Sequence, residues 1–227
     1  MKIPICVSIP VASTKEAVKL AKKAVKQKAD LIEFRLDYFK NGKLEIEKLS
    51  KNIEVDKIAT NRLKSEGGKY SGQEAERIKT LIEAAEKGFE IIDLELKTLN
   101  LKKIVKTVKE AGAKPLISFH NFKETPSNLT LEAIYNKEVE AKAEICKIVT
   151  KAKTFMDNVK LFNLLLKVNK KPLVCFAMGT LGIPSRVLSP IFGGAFTYAC
   201  VDKNFKAAPG QLTIQEMRKI YRLMELI

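Results

Sequence analysis

Short apolar runs alternate with longer stretches in which apolar residues recur every three or four positions, and the alternation repeats along all 227 residues. Runs at 3–9, 31–37, 57–62, 89–96, 115–121, 143–149, 172–178 and 194–201 have the length and β-branched content of buried strands. Helical spacing fills the intervals at 13–29, 44–51, 73–86, 101–111, 129–139 and 155–168, in a short segment from Pro184, and at 213–226. Two helices open on capping boxes, S-T-K-E from Ser13 and T-I-Q-E from Thr213. In such a box the hydroxyl and the glutamate each satisfy a backbone N–H of the first turn. Eight β/α units predict an α/β fold, a compact TIM (β/α)8 barrel formed as a single domain over 1–227. An open doubly wound sheet is the alternative. No G-x-G-x-x-G follows the first strand, however, and G-G-K-Y at 67–70 is not a phosphate loop.

Charge within the strands changes the picture from fold to function. In L-I-E-F-R-L-D, a period of two puts Glu33, Arg35 and Asp37 on one face and Ile32, Phe34 and Leu36 on the other. Helices cover the outside of a barrel, so the apolar face points outward and the charged face inward. Asp93 and Glu95, Thr60 and Arg62, and Ser118 and His120 follow the same rule, and Lys147 lies opposite the outward Cys146 and Ile148. Ionisable groups inside a barrel are costly unless they are paired or form a wet site at its mouth. A salt-bridge lattice explains a Glu–Arg pair; it does not readily explain a lone lysine and the sole histidine.

Composition excludes other classes. Hydrophobic residues make up 46% and charged residues 30%, and no apolar run reaches membrane-spanning length. The apolar patch at 1–12 is interrupted by Pro4 and Pro10 and leads straight into a lysine-rich helix, which predicts a first strand and a cytoplasmic protein. The formal charge of +15 arises mostly from lysines scattered over helix faces, such as Lys15, Lys19, Lys22 and Lys26, without aromatic interleaving. That pattern argues for a solvated coat and against nucleic acid. Cys6, Cys146, Cys175 and Cys200 are widely separated in apolar runs, as reduced thiols are. One histidine and four scattered cysteines make no ligand cluster, so no metal is expected, and no motif calls for a cofactor. No helix shows a clear exposed apolar stripe.

A lysine in a buried strand is expensive unless it is paired or loses its proton, and a neutral amine attacks carbonyls. Lys147 is such a lysine, and nearby cations are expected to help free its lone pair. His120 is the natural proton carrier.

Six ordered motifs, E-F-R-L-D, R-x-x-x-E-G-G, S-F-H-N-F-x-x-T-P, C-K-I, M-G-x-x-G-x-x-S-R and A-P-G-Q, span nearly the whole chain. In that set and order the sequence resembles the type I 3-dehydroquinate dehydratase family, including the separation of 27 residues between His120 and Lys147. The resemblance implies that Lys147 forms an iminium with the C3 ketone of 3-dehydroquinate. His120 would take the C2 proton and protonate the departing C1 hydroxyl, and Glu66 would position and polarise His120. Arg186 would hold the substrate carboxylate, and Glu33, Arg35 and Arg62 the ring hydroxyls. Met178 would line the pocket, and Gln211 would arrive on a mobile closing loop, 202–211. It implies a homodimer as well. One position departs from the family pattern: Ala207 stands where a serine is usual.

Two rivals stay open. A class I aldolase-type barrel also forms a Schiff base, and it would need a glycine-rich phosphate site, of which M-G-T-L-G and F-G-G-A are faint versions. A non-catalytic binding barrel has only the basic coat in its favour.

Overall fold

The computed structural model describes residues 3–39 and 44–227. Eight parallel strands form one sheet: β1 (Ile5–Ile9), β2 (Leu31–Arg35), β3 (Asp56–Thr60), β4 (Ile91–Glu95), β5 (Lys114–His120), β6 (Ile145–Lys151), β7 (Leu173–Met178) and β8 (Thr197–Cys200). Sequential strands pair from β1 to β7, and β8 pairs with β1. The sheet thus wraps into a nearly closed barrel, with the seam between β7 and β8 bridged by Ala195 N–H to Leu173 O at 2.9 Å. The helices are α1 (Thr14–Lys26), α2 (Ile46–Lys51), α3 (Glu74–Glu86), α4 (Leu101–Glu110), α5 (Asn128–Glu140), α6 (Met156–Lys167), α7 (Ile183–Leu188) and α8 (Ile214–Leu223). Of the two predicted boxes, that of Thr213 with Glu216 closes in full, whereas at Ser13 the hydroxyl half forms, with Oγ accepting from Glu16 N–H. No helix among the described residues is long and apolar enough to cross a membrane.

Alternation divides each strand as expected. Ile5, Val7, Ile32, Phe34, Ile92, Leu94, Cys146 and Ile148 face outward into the large core under the helices. Inside the barrel, Cys6, Ile58, Ile91, Leu116, Val174 and Phe196 form a separate apolar plug. The charged residues occupy the layer next to that plug, toward the carboxyl ends of the strands. A closed floor and a polar upper layer give a cavity with one mouth.

Three expectations are corrected. The second strand stops at Arg35, and residues 36–38 turn as a short 3-10 helix. Asp37 therefore leaves the strand face, where its carboxylate accepts from both Arg35 and the Lys69 N–H. The eighth strand begins at Thr197 instead of 194, because Gly194 still belongs to a turn held by Ser189 O. Helix α6 does carry an exposed apolar stripe: Met156 is 65% and Leu166 68% exposed, and Phe155 and Val159 extend the same face. The sequence V-K-L-F-N-L-L-L is apolar on nearly every side, so its periodicity alone cannot say which face is buried.

Candidate active site

Lys147 rises from the middle of β6 into the polar layer and is 4% exposed. Its Nζ lies 3.0 Å from Asp93 Oδ2 on β4, 3.3 Å from Glu33 Oε1 on β2, and 3.0 Å from the Tyr198 hydroxyl on β8. An unpaired buried ammonium would be prohibitive, and two carboxylates and a hydroxyl offset that cost. The charges directly against Nζ are carboxylates, and the nearby cation Arg62 stands across Asp93, holding its Oδ1 while Lys147 takes its Oδ2. The alternation that turns Lys147 inward turns Glu33 and Asp93 inward beside it. Burial alone would raise the Asp93 carboxyl; Arg62 and Lys147 override that and hold it far below the usual range. Glu33 behaves alike, burial opposing and Lys147 and Arg35 lowering it.

Arg62 stands just past the end of β3 and donates to Asp93 Oδ1 at 2.7 Å and to Ser118 Oγ at 3.1 Å. Behind it, Glu95 bonds Arg77 of α3 at 2.6 Å, and Arg77 also bonds Glu74 and the Asn61 carbonyl. Arg77 is fully buried, which sequence reading missed because an arginine in an amphipathic helix looks like surface. Arg35 grips Asp37 through two bonds of 2.8 and 2.7 Å.

His120 ends β5 half-buried, and its ring stacks on Phe122 with centroids 5.9 Å apart. Burial first, then the charges of Arg62 and Lys147, hold the imidazole pKa well below its ordinary value. It is therefore neutral at neutral pH and able to accept a proton. Its Nδ1 has no hydrogen-bond partner among the described residues. Glu66 sits on the same cavity wall, in a 3-10 turn (Lys64–Glu66), with Oε1 3.4 Å from Lys97 Nζ. Gly67 is needed beside it: its φ is +78°, and a Cβ there would strike the Phe122 ring.

Arg186, in α7, is 1% exposed. Its Cζ lies 4.3 Å from the Phe176 ring centroid, and its Nη1 reaches the Tyr198 carbonyl only at 3.5 Å. Nε and Nη2 have no partner among the described residues, and burial pushes the guanidinium down to about 10. Met178 is buried at the end of β7. Gln211 is buried too, and both ends of its amide are already committed: Oε1 accepts from Ala207 N–H of its own loop at 2.8 Å, and Nε2 donates to Ala199 O of β8 at 3.1 Å. Gly210 lets that loop lie on the Gly179 carbonyl, where a Cβ would collide.

All nine predicted residues, Lys147, His120, Glu66, Glu33, Arg35, Arg62, Arg186, Gln211 and Met178, line one cavity. Sequence reading missed Tyr198 in its wall and Glu138 behind it. Glu138 is fully buried in α5, and its Oε2 accepts the Lys147 backbone N–H at 3.2 Å. In the M-G-T-L-G segment, the Gly179 N–H is taken by Pro209 O and the Gly182 N–H by Gly179 O, so these donors are not free for the phosphate of an aldolase substrate.

A family model described as type I 3-dehydroquinase matches residues 5–227. A 3-dehydroquinate dehydratase of Dehalococcoides mccartyi is 41% identical over 165 residues, 73% of this chain and 74% of that protein. One from Desulfotalea psychrophila is 35% identical over 221 residues, 96% of each chain. Among solved structures, the 3-dehydroquinate dehydratase of Geobacillus kaustophilus superimposes with a TM-score of 0.92 at 24% identity, over 99% of this chain and 92% of that one. The type I enzyme of Clostridium difficile, solved with covalently modified comenic acid, gives 0.88 at 25% identity, over 98% and 92%. Two of these relatives share more than 30% of their residues with this chain over most of both lengths, the structures share its barrel, and the family model covers all but the first four residues. The chain belongs to the type I 3-dehydroquinase family.

Proposed function

We propose that this chain is a 3-dehydroquinate dehydratase, a hydro-lyase forming 3-dehydroshikimate and water by syn elimination through a Schiff base on Lys147. The observation that carries the reading is one cavity holding a buried lysine, a neutral histidine and a guanidinium with two free donors. Covalent chemistry fits the site, as the covalently modified comenic acid of the Clostridium difficile relative suggests.

Arg186 takes the substrate carboxylate with the donors that nothing else uses, in the two-pronged geometry that suits a carboxylate. Glu33, Arg35 and Arg62 meet the ring hydroxyls, and Met178 packs against the carbon skeleton. Lys147 Nζ attacks the C3 ketone, and loss of its oxygen as water leaves an iminium that draws electrons from C2. His120 takes the C2 proton, and the enamine expels the C1 hydroxyl as His120 returns a proton to it. Water hydrolyses the product iminium and frees Lys147. Glu66 turns toward His120 Nδ1 as substrate enters, and the 202–211 loop with Gln211 shuts out solvent. None of these steps calls on a metal or an organic cofactor.

The reaction belongs to the shikimate route to chorismate and the aromatic amino acids, carried out in the cytoplasm by one barrel domain. The exposed apolar face of α6 is the surface through which two copies pair as a homodimer. Borohydride with 3-dehydroquinate should inactivate the protein and add one ligand mass to the peptide holding Lys147. Lys147→Ala should be inactive and untrapped, and EDTA should leave the native enzyme unaffected. A trapped adduct on any other lysine, or consumption of a sugar phosphate instead, would sink the reading.

A further inference from the structure

Tyr198 stands apart from the roles given above, and its position is informative. Its hydroxyl accepts a hydrogen bond from Lys147 Nζ at 3.0 Å and donates one to Glu33 Oε1 at 3.3 Å. Its ring centroid lies 4.4 Å from the same Nζ. Phe176 and Phe196 brace that ring at 5.9 and 5.7 Å, so the phenol is held in place from two sides. Of the oxygens that contact Nζ, those of Glu33 and Asp93 are carboxylates, which only accept. The phenol alone among these both accepts and donates. Burial, reinforced by the charge of Glu33, keeps it in the neutral form that can do both.

We infer that Tyr198 is a further catalytic residue, one that relays protons between Lys147 Nζ, Glu33 and the substrate oxygen while the imine forms and breaks. The inference rests on the Schiff-base reading above. The ammonium passes one proton to the phenol oxygen as the phenol passes its own to Glu33, leaving a neutral amine and a carboxylic acid. The nitrogen lone pair forms the C–N bond, and the carbonyl π pair becomes an alkoxide. A second proton moves from nitrogen through the phenol to that oxygen, giving the carbinolamine. Glu33 then returns its proton by the same path, the oxygen leaves as water, and the lone pair closes the iminium with one hydrogen left on nitrogen. The phenol and the carboxylate end as they began.

Tyr198→Phe tests this, because it keeps the braced ring and removes only the hydroxyl. Native and variant proteins are mixed with excess 3-dehydroquinate, quenched with borohydride at timed intervals, and weighed by mass spectrometry. The adduct on Lys147 should form about 10²-fold more slowly in the variant, as expected for a lost proton-transfer group. KM should change little, since Arg186 and the other contacts remain. Substrate deuterated at C2 should show an isotope effect on native turnover that disappears in the variant, where imine formation limits the rate. A purely structural tyrosine would lower the melting temperature without moving that isotope effect. Adduct formation at native speed, or an unchanged isotope effect, overturns the assignment while leaving Lys147 as the nucleophile. Failure to trap the native protein at all overturns both.

Discussion

Replacing Arg186 by methionine should make the ligand-free protein more stable and the enzyme far worse. The guanidinium is buried, its contact to the Tyr198 carbonyl is long, and two of its nitrogens are unpaired among the described residues. Burial lowers its pKa from an ordinary value of roughly 12.5 to about 10. At about 1.4 kcal/mol per pH unit, keeping the charge there costs the folded state about 3 kcal/mol. The cost applies wherever the group is a cation, at every pH below about 10, and lifts only as pH rises beyond that value. A methionine of similar length removes it and keeps contact with Phe176. For a chain of this size about 3 kcal/mol corresponds to a rise of roughly 6–12 °C in Tm. Meanwhile substrate loses hydrogen bonds to a charged group, at about 1.5–3 kcal/mol each. With two bonds lost, kcat/KM should fall roughly 10²–10⁴-fold. Thermal unfolding at pH 7, with and without 3-dehydroshikimate, checks both halves: the ligand should raise the native Tm and leave that of Arg186→Met in place. A variant that melts below the native protein, yet still gains stability from the ligand, would refute the claim that this arginine is a destabilising charge awaiting an anion.

Because His120 is held neutral by burial and by the cations of Arg62 and Lys147, it charges only as pH falls through a value well below 6.5. kcat/KM should therefore stay level from neutral pH down past about 6.5 before its acid limb appears, and a limb centred at 7 or above would contradict this. Gln211→Ala removes the brace between Ala207 and Ala199, so steady-state titration should show KM raised and kcat reduced. Ala207→Ser should shift KM by no more than about tenfold, most plainly downward, as one added neutral hydrogen bond would. If Gln211→Ala behaves as native, the loop is a plain connection. Glu138 is pushed well above the usual carboxyl pKa by burial, so the native fold loses stability as pH rises beyond the unfolded value of about 4.3. Glu138→Gln keeps an acceptor for the Lys147 N–H and should gain on the native protein between pH 5 and pH 8 in urea titrations; parallel stability curves would show the acid to be indifferent.

The eight-unit alternation was legible because strand and helix periods differ sharply, and the inward set followed from period two alone. What the pattern lacked was depth along the strand. Alternation puts Cys6 and Ser8, or Ile58 and Thr60, on one face, and only the three-dimensional stagger separates an apolar floor from a polar layer above it. Asp37 illustrates the limit from another side: its parity is right, but the chain turns before reaching it. Arg77 and Glu138 were illegible because both lie on helices, where a charged residue among apolar neighbours reads as the solvent face. Each is instead turned inward to a charge or an N–H on the barrel. Tyr198 was overlooked for the opposite reason. In F-T-Y-A-C an aromatic looks like core, and its ring is core; only the hydroxyl belongs to the site.

The roles implied for Arg35, Arg62 and Arg186 looked alike in sequence, and the structure ranks them by what already holds each one. Arg35 is gripped by Asp37, and Arg62 by Asp93 with Glu95 at 3.6 Å. Lys147 is likewise answered by Glu33 and Asp93. These pairs bring their own countercharge, so they can fix hydroxyl positions but add little net attraction for an anion. Arg186 has no carboxylate against it among the described residues. The cavity thus presents paired charges along one wall and a single unanswered cation on another. A ligand bearing one carboxylate and several hydroxyls matches that division, its anion on Arg186 and its hydroxyls on the paired lattice. A phosphate dianion would leave one charge uncompensated in a buried cavity, which is the physical ground for preferring a cyclic hydroxy-acid over a sugar phosphate in this barrel.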